Sequence, residues 1–302
     1  MQNLKRPMRN FLCYYFFFFL SFSLHAQIIS DSVVFKKATW QFDTVSKNII
    51  WQHYHFNQKQ LFSGNENFNI VRVPLRVKAL SFDIGSDYDS LAKTSILAQK
   101  YDALVAINGS FFDTKKGGAV DFIKTDNHIS DTSRIDKNRL AEHQRSGIAV
   151  KKNKKLRIIF TPDSTNFNWL NKYAGFESIM VSGPLLLKNF KINSLTKSAF
   201  NDNRHPRSCL CLTKKELILL TVDGRTAESY GLNLNELTKI AQWLGCKNAI
   251  NLDGGGSTTL FIKNQPFNGI VNMPCDGKKF NHETERPVSN IFYIKINAKI
   301  NN

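Results

Sequence analysis

The chain has 302 residues, 42% of them apolar and 22% charged, with 16 glycines and 8 prolines, a composition that excludes disordered, collagen-like and low-complexity proteins. Forty-one Lys and Arg against 24 Asp and Glu give a net charge of +17, which suits a surface to an anionic partner. Nucleic acid, acidic lipid and phosphorylated glycan all satisfy that balance.

In chain order, Lys5, Arg6 and Arg9 precede the apolar run Phe11 to Phe22, and Ser23-Leu24-His25-Ala26 offers a small residue for cleavage. This is the order of a secretory signal peptide over residues 1–26. The run is too short for a comfortable membrane span, and an uncleaved N-terminal anchor is the alternative. Cleavage leaves 276 residues with a net charge of +14. It predicts a secreted or periplasmic product with no stable membrane span, kept away from nucleic acid. Segments 33–40, 47–56 and 70–84 are rich in Val, Ile, Phe, Trp and Tyr and read as strands separated by turns such as Ser63-Gly64-Asn65. Lys93 to Lys100 reads as a short helix feeding a buried strand, Ala103 to Ile107, which ends at Asn108-Gly109. Residues 146–160 form two β-like runs joined by Lys151 to Lys155, a solvated hairpin tip with no aromatic residues among its lysines.

CLCLT, Lys214-Lys215 and ELILLTV predict a hairpin that delivers Asp223-Gly224-Arg225 to a strand end. Asn233 and Glu236 form a capping box, Leu234, Leu237, Ile240, Ala241 and Leu244 an apolar stripe, and Gly245 a stop. A strand over Asn248 to Leu252 runs into the turn Asp253 to Ser257, and Thr258 to Ile262 resumes β character. The expected class is α+β: a mixed β-sheet core flanked by a few helices, with a β-rich N-terminal portion. No repeat or linker divides residues 27–302. Outside the leader, Cys209, Cys211, Cys246 and Cys275 allow three pairings if all are bonded, although Cys209 and Cys211 share a strand face and are poorly placed for each other. Buried thiols are the other reading. His53 and His55 fit cross-strand packing better than a zinc site, and neither Walker nor GxGxxG patterns are present. No cofactor and no metal are expected.

Chemistry concentrates at four strand exits: Asn108 to Asp113 (NGSFFD), Ser182-Gly183-Pro184, Asp223-Gly224-Arg225, and Asp253 to Ser257 (DGGGS). Gly254, Gly255 and Gly256 can offer backbone N–H groups as an anion cradle, with hydroxyls from Ser257 and Thr258. Alternatively DGGGS is simply a tight turn. Arg207, Arg225 and Arg286 adjoin turn residues, and guanidinium forks match phosphate oxygens. His205 is a possible proton carrier or a plain loop residue. Ser182 lacks an assignable base, and there is no GxSxG elbow.

Together, NGSFFD, SGPLL, HPRSCLCL, LTVDGR, AINLDGGGSTTL and GIVN followed by ERPVSN resemble the phosphodiester glycosidase family, in the family's order, from about Ile70 to Ile296. Residues 27–69 fall outside the resemblance. It implies hydrolysis of a sugar joined through its anomeric oxygen to a phosphodiester, with an N-acetylglucosamine-like sugar and a phosphomonoester as products. Such cleavage builds positive charge on the sugar and negative charge on the departing phosphate. The expected roles are Asp253 or Asp223 as the carboxylate that stabilises the sugar cation or activates water, Arg207 and Arg225 on phosphate, Asn108 on sugar hydroxyls or an acetamido group, and Ser182, Gly183, Arg286 and Gly254 to Thr258 as further substrate contacts. A phosphorylated glycan is the expected partner; the oligomeric state is open. Two alternatives stand: a metal-dependent phosphodiesterase using Asp113, Asp223 and Asp253, and a non-catalytic binder of anionic envelope glycans.

Overall fold

The computed structural model describes residues 30–87, 90–131, 140–151, 155–162 and 167–297. Residues 1–26, expected to be a signal peptide, and the tip of the 146–160 hairpin lie outside the described residues. The fold is α+β and β-rich: an eight-stranded sheet, a five-stranded and a four-stranded sheet, and few helices. Every ladder between the described strands is antiparallel.

The large sheet is ordered Gln41–Ser46, Ile49–Leu61, Gly64–Pro74, Glu216–Val222, Arg207–Leu212, Asn248–Asn251, Leu185–Lys188 and Lys191–Ile192. Its centre is covered on both faces, which is why CLCL and LILL read as unbroken apolar runs instead of alternating ones. Leu210, Leu212, Leu217 and Leu219 face a core shared with the other two larger sheets. Cys209, Cys211, Ile218 and Leu220 face the opposite way, onto the helix Leu234–Trp243 and the N-terminal aromatic residues. That helix carries the expected capping box, with Glu236 N donating to Asn233 Oδ1 and Asn233 N to Glu236 Oε2.

Two expectations for the N-terminal part are corrected. Residues 33–40 are not a strand, because Asp31–Lys37 is a helix. An acidic residue opens it and two lysines close it, complementing the helix dipole, and its Phe35 is buried among Phe56, Phe68, Trp40 and Trp243. The 70–84 run is divided between the strands Gly64–Pro74 and Leu80–Ser86, which belong to different sheets. The hairpins at 146–160 and 207–222 form as expected, as does the helix Thr94–Lys100 feeding strand Val105–Asn108. Cys211 and Cys246 are disulfide-bonded, tying a central strand to the turn after helix Leu234–Trp243, while Cys209 and Cys275 are free and buried. Among the described residues no helix is long and apolar enough to cross a membrane.

Candidate active site

The four polar strand exits converge. Asp253 N donates to Gly109 O at 3.0 Å and Leu252 N to Ser208 O at 2.9 Å. Asn108 Nδ2 reaches Asp253 O at 2.7 Å, while Asn108 Oδ1 accepts from Ser208 Oγ at 2.6 Å and Thr259 N at 3.1 Å. Asn251 Nδ2 donates to Gly183 O at 2.9 Å, and Gly255 N to Pro206 O at 2.9 Å. Corners more than a hundred residues apart in sequence therefore form one bonded layer.

This layer separates the residues that frame the site from those that face it. Asn108 is fully buried with both side-chain ends engaged by protein; it fastens the corners and does not face sugar hydroxyls as expected. Arg207 is likewise fully buried, its Nε and Nη2 donating to the carbonyls of Leu232, Phe200 and Asn203. Burial lowers its pKa to about 10, with Arg225 adding to the effect. Its guanidinium also lies 4.9 Å from the Phe200 ring centroid; Arg207 thus supports the wall through Nε and Nη2, while its buried Nη1 has no hydrogen-bond partner among the described residues. Ser182 is fully buried and bonds Asn251 O, which removes it as a presented nucleophile. Gly183 packs against Ser146 and His143.

Asp223 is 1% exposed. It accepts from Asn272 Nδ2 at 2.9 Å, Met273 N at 3.0 Å and Asn67 Nδ2 at 2.7 Å. Desolvation still raises its pKa to about 7 against those bonds. It braces the loop beneath the site. Its neighbour Arg225 is exposed and holds a left-handed backbone, φ 66°, uncommon for a residue with a long side chain. The turn is imposed by Ser229 Oγ donating to Asp223 O, Asn65 Nδ2 donating to Ala227 O, and Asn67 N donating to Ser229 Oγ.

The facing groups are Asp253, Gly254, His205, Arg225 and Arg286, each half-buried or exposed. Burial raises the Asp253 pKa to about 6, opposed by the Ser257 hydroxyl, the Gly254 N–H and the charges of Arg286 and Arg225. His205 Nδ1 is 3.4 Å from Arg225 Nη2; burial, Arg207 and Arg225 lower its pKa and favour a neutral ring. The triple glycine is less an N–H cradle than a clearance. Gly254 N donates to Asp253 Oδ1 and Gly255 N to Pro206 O, which leaves little of the cradle expected from DGGGS. A Cβ on Gly255 would stand 2.9 Å from Arg225 Nη2, and one on Gly256 would stand 2.5 Å from Arg286 Nη2. Two guanidinium groups thus lie against the bend because it has no side chains, and Gly255 also needs its positive φ of 61°. Arg286 Nε donates to Asp276 at 2.8 Å. Ser257 and Thr258 are buried beneath the bend.

Several contributors carry no sequence signal. Asn67 sits in an ordinary strand and Asn272 in a loop, yet both hold Asp223. His143, 3.5 Å from the buried Asp121 carboxylate and edge-on to Phe111, packs beside Gly183. For a metal site, Asp113 instead caps its own loop through Lys115 N and Lys116 N. Among the described residues no group of three or more His, Cys, Asp or Glu side chains is placed to hold one ion.

A family model described as phosphodiester glycosidase matches residues 101–295, spanning the four strand exits. The chain belongs to the phosphodiester glycosidase family. In fold it is similar to the catalytic domain of zebrafish N-acetylglucosamine-1-phosphodiester alpha-N-acetylglucosaminidase in a form auto-inhibited by its pro-peptide: TM-score 0.61 and 21% identity over 86% of this chain and 88% of that one. It is also similar to a protein from Synechocystis, with TM-score 0.62 and 16% identity over 86% of this chain and 64% of that one. A segment of 99 residues, 32% of the chain, is 29% identical to the SPbeta prophage-derived protein YomE of Bacillus subtilis (strain 168). The chain spans 15% of that relative's length.

Proposed function

We propose that this phosphodiester glycosidase family member is an exported hydrolase that cleaves a sugar 1-phosphodiester between the anomeric carbon and the bridging oxygen, releasing free sugar and a phosphomonoester. The observation that carries this reading is the half-buried Asp253 carboxylate flanked by Arg225 and Arg286 on a side-chain-free bend. Water supplies hydroxide to the anomeric carbon, and the bridging oxygen leaves with the bonding electrons as part of the phosphate. Ionised Asp253 stabilises the oxocarbenium-like carbon or takes the proton from water. Arg225 and Arg286 face the anion that accumulates on phosphate, the side where preorganised positive charge lowers the barrier most. A phosphomonoester, with a second pKa of about 6, is a good leaving group and needs little protonation. A phosphorylated glycan with an N-acetylglucosamine-like sugar is the proposed substrate class, in keeping with the substrate named for the zebrafish enzyme.

A panel of sugar 1-phosphodiesters incubated with the protein, both products identified, tests the activity. The expected result is one sugar released with its phosphomonoester, and a fall in kcat of about 10² or more for Asp253→Asn. Saturable binding of the whole panel with no product from any member would replace the enzyme with a glycan binder.

A further inference from the structure

The turn Glu142–Arg145 has two sides. His143 packs beside Phe111 and Gly183 at the candidate active site, whereas Glu142 and Arg145 line a separate cavity of about 570 Å³ with Ser146, Phe160, Lys188 and Thr196. That volume accommodates a small organic ligand. Its charges are unbalanced. Glu142 is already satisfied, accepting from Thr196 N at 2.9 Å, Thr196 Oγ1 at 2.8 Å and Asn201 Nδ2 at 2.8 Å. Arg145 makes one long bond, Nη2 to Leu140 O at 3.4 Å, and its buried Nε has no partner among the described residues. The Lys188 ammonium lies 4.6 Å from the Phe160 ring centroid. Neither cation forms an ion pair among the described residues. Two cations with unused donors in a concave, partly buried setting select an anion.

The cavity and the active site share a wall. Ser146 Oγ donates to Ser182 O at 2.8 Å, and Gly183, next in the chain, accepts from Asn251 two residues before Asp253. We propose that the cavity is a second subsite that takes a phosphorylated sugar unit, its phosphate held by Arg145 and Lys188. That this unit neighbours the cleaved one in a phosphoglycan rests on the proposed function; binding of the unit does not.

Titration of the full chain with glucose 6-phosphate, glucose and inorganic phosphate tests this, in an Arg225→Gln/Arg286→Gln background that removes both phosphate-facing guanidinium groups of the active site. Saturable binding of glucose 6-phosphate is expected, at least tenfold tighter than either glucose or phosphate, and weakened at least tenfold by adding Lys188→Gln or Arg145→Gln. Lys188→Gln keeps the test decisive should the Arg145 variant fail to fold. Absence of saturable binding, binding unaffected by Lys188→Gln, or equal affinity for inorganic phosphate would overturn the subsite. In otherwise wild-type protein, Lys188→Gln should raise KM at least tenfold for a substrate carrying two phosphorylated sugar units and leave KM unchanged for a single-unit one; equal effects on both would overturn the placement of the bound unit beside the cleaved one. Failure of the wild type to turn over any sugar 1-phosphodiester would remove the proposed function while the titration still decides the subsite.

Discussion

Asp253 and the two arginines beside it behave differently from the buried polar groups that hold them. Because burial lifts the Asp253 pKa to about 6, a role for its ionised form predicts that kcat/KM rises with pH through about 6 and is level above it. Asp253→Asn should abolish that limb along with most of the turnover; a rate that falls through the same range would make Asp253 the acid. Arg225→Gln removes a charged donor from phosphate, an interaction of about 1.5–3 kcal/mol, so kcat/KM should drop about 10- to 150-fold in steady-state assays. Gly256→Ala should cost activity in the same way without touching either charge, since its methyl would displace the Arg286–Asp276 pair. Normal kinetics in that variant would show that the clearance is not needed. The carboxylates also bear on stability. The folded-state pKa values of Asp253 and Asp223 are raised, to about 6 and about 7, so the folded chain retains protons that the unfolded chain releases. Their contribution therefore declines as pH rises from about 4 to 7. Denaturant unfolding across that range should show a shallower decline in Asp253→Asn.

At the scale of elements, the C-terminal half was readable because its local signals agree. The Asn233 and Glu236 cap, the leucine stripe and the Gly245 stop all specify one helix, and CLCL and LILL have no alternative to a doubly covered hairpin. Residues 33–40 read as a strand because Val33, Val34 and Phe35 carry β propensity, while helicity there comes from end charges and from the aromatic pocket around Phe35, which no local pattern reveals. The disulfide was open among three pairings, and only the fold brings the Cys211 and Cys246 Cα atoms to 5.7 Å. It closes 35 residues holding both the Arg225 turn and helix Leu234–Trp243. Replacing both cysteines by alanine should lower unfolding free energy by about 2–4 kcal/mol, read by denaturant titration. A change below about 1 kcal/mol would mean the staple is redundant with packing.

Across the whole molecule, the site depends on residues far from its motifs. The strand-exit corners were visible as turns, and their convergence follows from three sheets meeting at one bonded layer. Which side chains face outward is not visible in sequence: Arg207 and Asp223 carry the same chemistry as Arg225 and Asp253, and only tertiary burial separates them, as it also withdraws Asn108. The N-terminal ribbon, outside the recognisable motifs, pairs Gly64–Pro74 with Glu216–Val222 over seven residues and supplies Asn65 and Asn67 to the Arg225 turn. Asn67→Ala, which leaves a buried Asp223 oxygen unpaired, should cost about 1–3 kcal/mol of stability and lower kcat/KM although Asn67 does not face the site. The proposed reaction breaks the bond from the anomeric carbon to oxygen. Hydrolysis of a sugar 1-phosphodiester in ¹⁸O-labelled water, with the phosphomonoester analysed by mass spectrometry, tests this directly, because phosphate oxygens do not exchange with water at neutral pH. An unlabelled phosphomonoester is expected; ¹⁸O in the phosphate would contradict cleavage at the anomeric carbon.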